Sequence, residues 1–214
     1  MYRNNGLSEL EFGKHITLTI TNYCNLKCSY CYEHNKDVRV MSFETAQEIL
    51  SHELDETSDN FTVEIFGGEA FTNFQLIKQI TEYLETRFNQ KNFWIFIVSN
   101  GTLVNKDIQA WLLKHKKHVI VGLSLDGTKE MHDCNRSNSY DMIDVDFFCR
   151  TYPSQSIKMT ISNATLNNMT KGIKFLHSKG FKINCNLAYG IDWQNDKYQY
   201  TLYKQLKELA DYYI

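Results

Sequence analysis

The chain has 214 residues, of which 43% are hydrophobic and 22% are charged, a composition typical of globular proteins. A formal net charge of −2 argues against an electrostatic binder of nucleic acid, and no apolar run is long enough for a transmembrane helix. The first 15 residues lack the apolar stretch of a signal peptide, so we expect a cytosolic protein.

Strand-like and helix-like segments alternate along nearly the whole sequence. The segment HITLTIT is rich in β-branched residues, and FWIFIV is continuously apolar, as is typical of a parallel strand covered on both faces. The predicted strands are 15–21, 61–66, 93–98, 118–125, 156–162 and 181–189. The predicted helices are 43–54 with Ser42 as its cap, 73–88, 105–116, 142–150, 167–179 and one from about 197 onward.

This order predicts an α/β fold built from six parallel βα units. A complete eightfold barrel usually requires roughly 250 residues. We therefore expect a partial (β/α)6 TIM-like barrel, in which a parallel sheet is surrounded by outer helices; a doubly wound sheet is the alternative. Residues 1–14 are expected to form an N-terminal extension and residues 15–214 a single core domain.

Three cysteines lie within eight residues, directly after the first predicted strand: Cys24, Cys28 and Cys31. Thiolates select soft metals, chiefly zinc or the iron of iron–sulfur clusters. His34 follows Cys31 by three residues and would complete a four-ligand zinc site. In the other interpretation, three cysteines hold a cluster that usually takes four. One iron would then remain open to a different molecule.

Small or polar residues follow each of the later predicted strands. The carboxyl ends of parallel strands meet at one edge, where ligands bind in such folds. In chain order these loops begin with Gly67-Gly68-Glu69, Ser99-Asn100-Gly101-Thr102, Ser124-Leu125-Asp126-Gly127, Ser162-Asn163 and Ala188-Tyr189-Gly190. Each is an ordinary turn signal by itself, but together with the cysteines they predict one ligand site.

The cysteine spacing, with the aromatic Tyr30 before the last cysteine, resembles the cluster motif of the radical S-adenosylmethionine (SAM) superfamily. Gly-Gly-Glu after the second strand strengthens this resemblance, which spans most of the chain. The stretch GLSLDGTKEMHDCNR, at 122–136, looks like the S-x-D-G…H-D-x-x-R segment of anaerobic sulfatase-maturing enzymes and related SPASM-type peptide-modifying members.

The resemblance implies a [4Fe–4S] cluster on the three cysteines and SAM as the ligand of the fourth iron. One electron from the cluster would cleave SAM to methionine and a 5′-deoxyadenosyl radical, which abstracts hydrogen from a substrate. The implied partners are a peptide or protein substrate and an electron donor such as flavodoxin or ferredoxin, with no nucleic acid or membrane. The alternatives are a radical SAM enzyme acting on a small molecule, a glycyl-radical activase, and a non-catalytic iron–sulfur or zinc module.

The resemblance also implies roles for residues of the strand-end loops. Glu69 would accept hydrogen bonds from the SAM ammonium group, and Gly67 and Gly68 would let the backbone approach the ligand closely. The remaining implied contacts are Ser124 to the methionine portion of SAM, Arg136 to its carboxylate, Ser99, Asn100 and Asn163 near the ribose, and Tyr30 and Tyr189 beside the adenine. Turn formation, a surface position or aromatic core packing are the alternatives for these residues.

Other features do not suggest a site. His132 and Asp133 are adjacent, so their side chains should diverge, and we interpret them as structural. We expect Asp126 to shape its turn. Three further cysteines share no spacing and are interpreted as small apolar residues: Cys134, Cys149 and Cys185. Because no cysteine-rich SPASM segment follows, we expect the chain to be a fragment of a longer protein.

Overall fold

The computed structural model describes residues 13–33, 37–54 and 60–214. Its strands are β1 (Lys14–Thr21), β2 (Asn60–Gly67), β3 (Asn92–Ser99), β4 (Val119–Leu123), β5 (Ser156–Ile161) and β6 (Lys182–Leu187). Its α-helices are α1 (Phe43–Glu53), α2 (Phe74–Arg87), α3 (Lys106–Lys114), α4 (Lys129–Asn135), α5 (Val145–Thr151), α6 (Met169–Ser178) and α7 (Asp196–Tyr213).

All six predicted strands are present, and so is the predicted alternation with helices. The Ser42 side chain accepts a hydrogen bond from the Thr45 amide, which confirms it as the cap of α1. The helix expected at 142–150 begins at Val145 and follows a short 3-10 turn. Helix α4 was not predicted, because seven mostly polar residues show no apolar periodicity; Thr128 caps it.

The chain forms two compact units, and each is described by itself. Among the described residues, the first unit comprises 13–25, 37–54 and 60–122. Its sheet has the strand order β1-β2-β3-β4, and the β1–β2 and β2–β3 pairs are parallel. Apolar residues of the strands and of α2 are buried together and form the core: Leu18, Phe61, Val63, Ile65, Ile95, Leu76, Ile77, Ile80 and Leu84.

The second unit comprises residues 26–33 and 123–214. Strands β5 and β6 pair in parallel, and Ser124 forms a parallel bridge to Lys158 of β5. Helix α6 packs closely against α4 and β5 through Gly172, because a Cβ at this position would lie 2.8 Å from the Met131 sulfur and 3.0 Å from the Met159 methyl carbon. Helix α7 packs against α6, where the Thr170 hydroxyl donates to the Gln205 carbonyl at 2.8 Å.

Candidate functional site

In the first unit, Glu69 joins the loops that follow β2 and β3. Glu69 is 1% exposed, and its carboxylate accepts hydrogen bonds from the Phe71 amide at 3.1 Å, the Ser99 hydroxyl at 2.8 Å and the Asn100 amide at 2.7 Å. Such charge-assisted bonds replace the water that a buried carboxylate has lost. The structure therefore brings together Glu69, Ser99 and Asn100, which the sequence predicts to lie at one ligand site. The Ser99 hydroxyl also accepts from the Gly101 amide, so it helps to form the turn.

The backbone on both sides of Cys24 is held by these loops. The Glu69 amide donates to the Tyr23 carbonyl at 2.9 Å. On the other side, Asn25 accepts from the Asn100 side chain at 3.0 Å and donates to the Thr102 hydroxyl at 2.8 Å. Sequence reasoning missed Asn25, since nothing but its position beside Cys24 marks it.

Glycine is required at positions 67 and 68 because the backbone that follows β1 lies too close for a Cβ. The Gly68 amide donates to the Thr21 carbonyl at 2.9 Å. A Cβ on Gly67 would lie 2.4 Å from the Thr21 oxygen, and one on Gly68 would lie 2.4 Å from the Tyr23 oxygen. Both glycines thus allow the end of β2 to contact the segment that leads to Cys24. Their predicted approach to a ligand stays a prediction.

In the second unit, the backbone around Cys28 and Cys31 is anchored on the end of α4. The Lys27 amide donates to the Ser137 hydroxyl at 3.1 Å, and the Ser29 amide donates to the Asn135 carbonyl at 2.8 Å. The Cys31 amide donates to the Cys28 carbonyl at 3.1 Å, which closes a turn between the two cysteines. The unpredicted helix α4 is therefore a main support of this loop.

Asp126 does more than shape its own turn. It is fully buried, and it accepts hydrogen bonds from the Tyr30 hydroxyl at 2.7 Å, the Asn135 side chain at 3.1 Å and the Thr160 amide at 2.9 Å. Arg136 places its Nε 3.0 Å from the same carboxylate, although not in the alignment of a hydrogen bond. Because Arg136 is 8% exposed, the alternative of a surface arginine is wrong.

The charges in this cluster shift the pKa values of its members. Burial is the main cause that raises the pKa of the Tyr30 hydroxyl above its ordinary value, so this group acts as a donor. Burial alone would lower the pKa of the Arg136 guanidinium, but the Asp126 carboxylate outweighs it and raises that pKa. Asp126 and Arg136 therefore form a buried ion pair.

His132 makes two hydrogen bonds within the protein, as expected of a structural residue. It is fully buried; its Nδ1 accepts from the Asp126 amide at 3.2 Å, and its Nε2 lies 3.1 Å from the Ser139 hydroxyl. Burial, assisted by the Arg136 charge, lowers the pKa of His132 to about 4. Asp133 instead pairs with Lys129 at 2.7 Å, so the two adjacent side chains do diverge.

A pocket of about 440 Å³ lies beside the Cys28–Cys31 loop within the second unit. Of the predicted site residues, its lining contains Tyr30, Cys31, Asn163 and Tyr189. Tyr189 is 84% exposed, so it is not part of an aromatic core. The Asn163 side chain donates to the Tyr198 hydroxyl at 3.2 Å. Ser124 and Arg136 are not part of this lining.

Two of the remaining cysteines do not behave as buried apolar residues. Cys134 and Cys185 are exposed, which corrects the sequence-based interpretation, whereas Cys149 is half-buried. Cys185 lies on β6, whose residues are mostly exposed. Cys134 lies on α4 and lines the pocket.

The cysteine donors are suited to an iron–sulfur cluster by their chemistry. Cys24, Cys28 and Cys31 are not in disulfides and are half-buried, and thiolates are the ligands of such clusters. Across residues 13–33, 37–54 and 60–214, no three His, Cys, Asp or Glu side chains are grouped as a metal ion requires. His34, the fourth ligand in the zinc interpretation, lies outside the described residues.

The family model of the radical SAM superfamily matches residues 18–206. The chain belongs to this superfamily. It is 28% identical to a cysteine-type anaerobic sulfatase-maturating enzyme of Clostridium perfringens, over 89% of this chain and 57% of the relative. It therefore spans little more than half the length of that radical SAM relative.

Solved structures show the same fold. Native anSMEcpe with bound AdoMet has a TM-score of 0.77 at 21% identity, over 93% of this chain and 59% of that chain. Streptococcus suis SuiB bound to its precursor peptide SuiA has a TM-score of 0.64 at 16% identity, over 97% of this chain and 48% of that chain. The α/β fold class predicted from the sequence is thereby confirmed.

Membership in the radical SAM superfamily implies SAM and an iron–sulfur cluster, and AdoMet is bound in the structural neighbour. The contacts predicted for individual residues stay predictions. None of the helices in the described ranges has the length and apolar character needed to span a membrane.

The contact between Gly68 and Tyr23 yields a prediction about stability. The variant Gly68→Ala should be destabilised by about 1–3 kcal/mol, because its Cβ meets backbone oxygen that has no rotamer to change. Gly190→Ala is the matched control: a Cβ there has open space, and only its left-handed φ of +79° costs, about 1 kcal/mol. Denaturant unfolding followed by circular dichroism measures both. A Gly68→Ala protein as stable as wild type would show that the close approach is wrong.

His132 yields a prediction about pH. Its pKa is about 4 in the folded protein and about 6.5 when unfolded. Between these two pKa values the unfolded chain binds a proton at His132 and the folded chain does not. The free energy of unfolding therefore falls as the pH drops below about 6.5. Between pH 7 and pH 5 the wild type should lose about 2 kcal/mol by this route.

His132→Gln should lack this part of the pH dependence, since glutamine does not titrate, and the exposed His52→Gln should retain it. The free energy of unfolding at pH 7 and pH 5 decides between them. Equal pH dependence in all three proteins contradicts the assignment to His132.

Proposed function

We propose that this chain is the core of a radical SAM enzyme that cleaves SAM reductively in order to abstract hydrogen from a peptide or protein. The observation that carries the proposal is the cysteine segment after β1. It combines three thiols within eight residues with a backbone held by the neighbouring loops. Its position lies within the part of the chain that matches the superfamily.

In this proposal Cys24, Cys28 and Cys31 hold a [4Fe–4S] cluster. Three thiolates would satisfy three of its irons, so the fourth would stay open to SAM. When bound, the cluster supplies one electron to the sulfonium of SAM and so starts radical chemistry on the substrate.

The chain's own residues bind and orient SAM. Glu69, kept charged by buried donors, would attract its ammonium group, and Arg136 would attract its carboxylate. The nucleoside would enter the pocket beside the cysteine loop, where Tyr189 offers an exposed ring. Asn163, which lines the same pocket, would contact the ribose.

The peptide class of the substrate rests on the relatives. One is a sulfatase-maturating enzyme, and another neighbour is bound to a precursor peptide. We extend this substrate class to the present chain, and we expect flavodoxin or ferredoxin as the electron donor.

Iron and sulfide content after anaerobic reconstitution tests the cluster. Wild type should hold about four of each per chain, and Cys24→Ser, Cys28→Ser and Cys31→Ser should each lose them. Cys185→Ser, which changes an exposed thiol elsewhere, and His34→Ala should match wild type. Zinc without sulfide, or iron that survives the loss of any one of the three cysteines, would contradict the proposal.

The formation of 5′-deoxyadenosine from SAM tests the substrate class. An extract of the source organism should accelerate it in the presence of dithionite, and protease treatment of the extract should abolish the acceleration. A stimulating activity that resists protease and passes through dialysis membrane would favour a small-molecule substrate instead.

A further inference from the structure

Three side chains of the second unit form a closed triangle around the Cys28–Cys31 loop. Tyr30, between the two cysteines, donates its hydroxyl hydrogen bond to Asp126 Oδ2 at 2.7 Å. Arg136 places its Nε 3.0 Å from the same oxygen. The guanidinium carbon of Arg136 also lies 5.4 Å from the centre of the Tyr30 ring, within the range of a cation–π contact. Each member of the triangle therefore contacts the other two.

Asp126 is the member of this triangle that the surrounding protein holds most firmly. Besides Tyr30, it accepts hydrogen bonds from the Thr160 amide at 2.9 Å and from the Asn135 side chain at 3.1 Å. It is fully buried. Because a buried carboxylate is stable only while its partners remain in place, its position is strongly determined.

Tyr30 is the side chain by which this fixed carboxylate reaches the cysteine loop. The loop has no helix or strand of its own. Tyr30 is rigid along its ring, and the hydroxyl at the end of that ring is fixed by its hydrogen bond to Asp126. Tyr32, on the other side of Cys31, is 63% exposed. The two tyrosines of the loop thus differ in whether they tether it.

We propose that Asp126 is a positioning residue for the iron–sulfur cluster, acting in two separable ways. Through the Tyr30 hydroxyl it holds the backbone between Cys28 and Cys31. Through its charge it balances the Arg136 guanidinium next to the cysteine loop. This inference rests on the proposed function, since it concerns the cluster that the cysteines hold.

The mechanical part is tested with Tyr30→Phe, which removes one hydroxyl and changes no charge. Loss of a buried hydrogen bond should loosen the loop, so that reconstituted protein releases iron to a chelator about tenfold faster. In protein without iron, the amides of residues 26–33 should exchange with deuterium faster. Tyr32→Phe, on the same loop, should match wild type in both measurements.

The electrostatic part is tested with Asp126→Asn, which keeps the size of the side chain and removes its charge. The unbalanced Arg136 cation would stabilise the added electron, so the midpoint potential of the cluster should become more positive. Tyr30→Phe should leave the potential unchanged. The double variant Asp126→Asn with Arg136→Gln restores the net charge and should return the potential toward the wild-type value.

Each outcome bears on a different claim. Unchanged amide exchange and iron release in Tyr30→Phe would overturn the mechanical role, and an unchanged potential in Asp126→Asn would overturn the electrostatic one. If Asp126→Asn does not fold, Arg136→Gln tests the electrostatic role instead: it leaves the Asp126 charge unbalanced and should make the midpoint potential more negative, and an unchanged potential would overturn that role. Wild-type protein that holds no iron and sulfide would overturn the proposed function and, with it, the positioning of a cluster.

Discussion

The segment from residue 22 to residue 33 has neither helix nor strand, yet its backbone amides and carbonyls must find partners. The rest of the structure meets that requirement in two places. Before Leu26, the Tyr23 carbonyl accepts from the Glu69 amide; after it, the Ser29 amide donates to the Asn135 carbonyl. The loops after the strands therefore act first as supports of the cysteine segment. Their residue types, such as the glycine at 68, follow from that role as much as from any ligand.

Two buried carboxylates organise the supports, one in each unit. Glu69 accepts from amide and hydroxyl groups of the first unit, and Asp126 accepts from Tyr30, Asn135 and Thr160 in the second. In both cases the protein supplies the hydrogen bonds that water would otherwise make. The groups around such a charge do not need to reorient when a ligand binds. Charges in a preorganised environment of this kind act most strongly on bound substrates.

Much of the fold could be predicted, because the pattern of apolar residues in a long segment indicates which of its faces are buried. The runs at β2, β3 and β5 alternate or are continuously apolar, and they form strands where they were expected. Helix α4 could not be found in this way, since its seven mostly polar residues are stabilised by a cap and by contacts rather than by periodicity.

The candidate site likewise contains residues that the sequence predicts and residues that it does not. The three cysteines and the grouping of Glu69 with Ser99 follow from local spacing and from the meeting of strand ends. The role of Asp126 does not, because its partners Tyr30 and Thr160 are 96 and 34 residues away in the sequence. From the sequence, an aspartate that binds only its own turn cannot be distinguished from one that binds three distant groups. The exposure of Cys134 and Cys185 was missed for a similar reason, since cysteine composition carries no information about neighbours.

The central claim is that three cysteines hold a cluster with one iron open to SAM. Electron paramagnetic resonance of the reduced, reconstituted protein, recorded with and without SAM, tests it most directly. If one iron is open, the reduced protein should give the signal of a [4Fe–4S] cluster whose shape changes when SAM is added. A cluster signal that is unaffected by SAM would mean that all four irons already have ligands, and the cysteine segment would then hold a closed cluster.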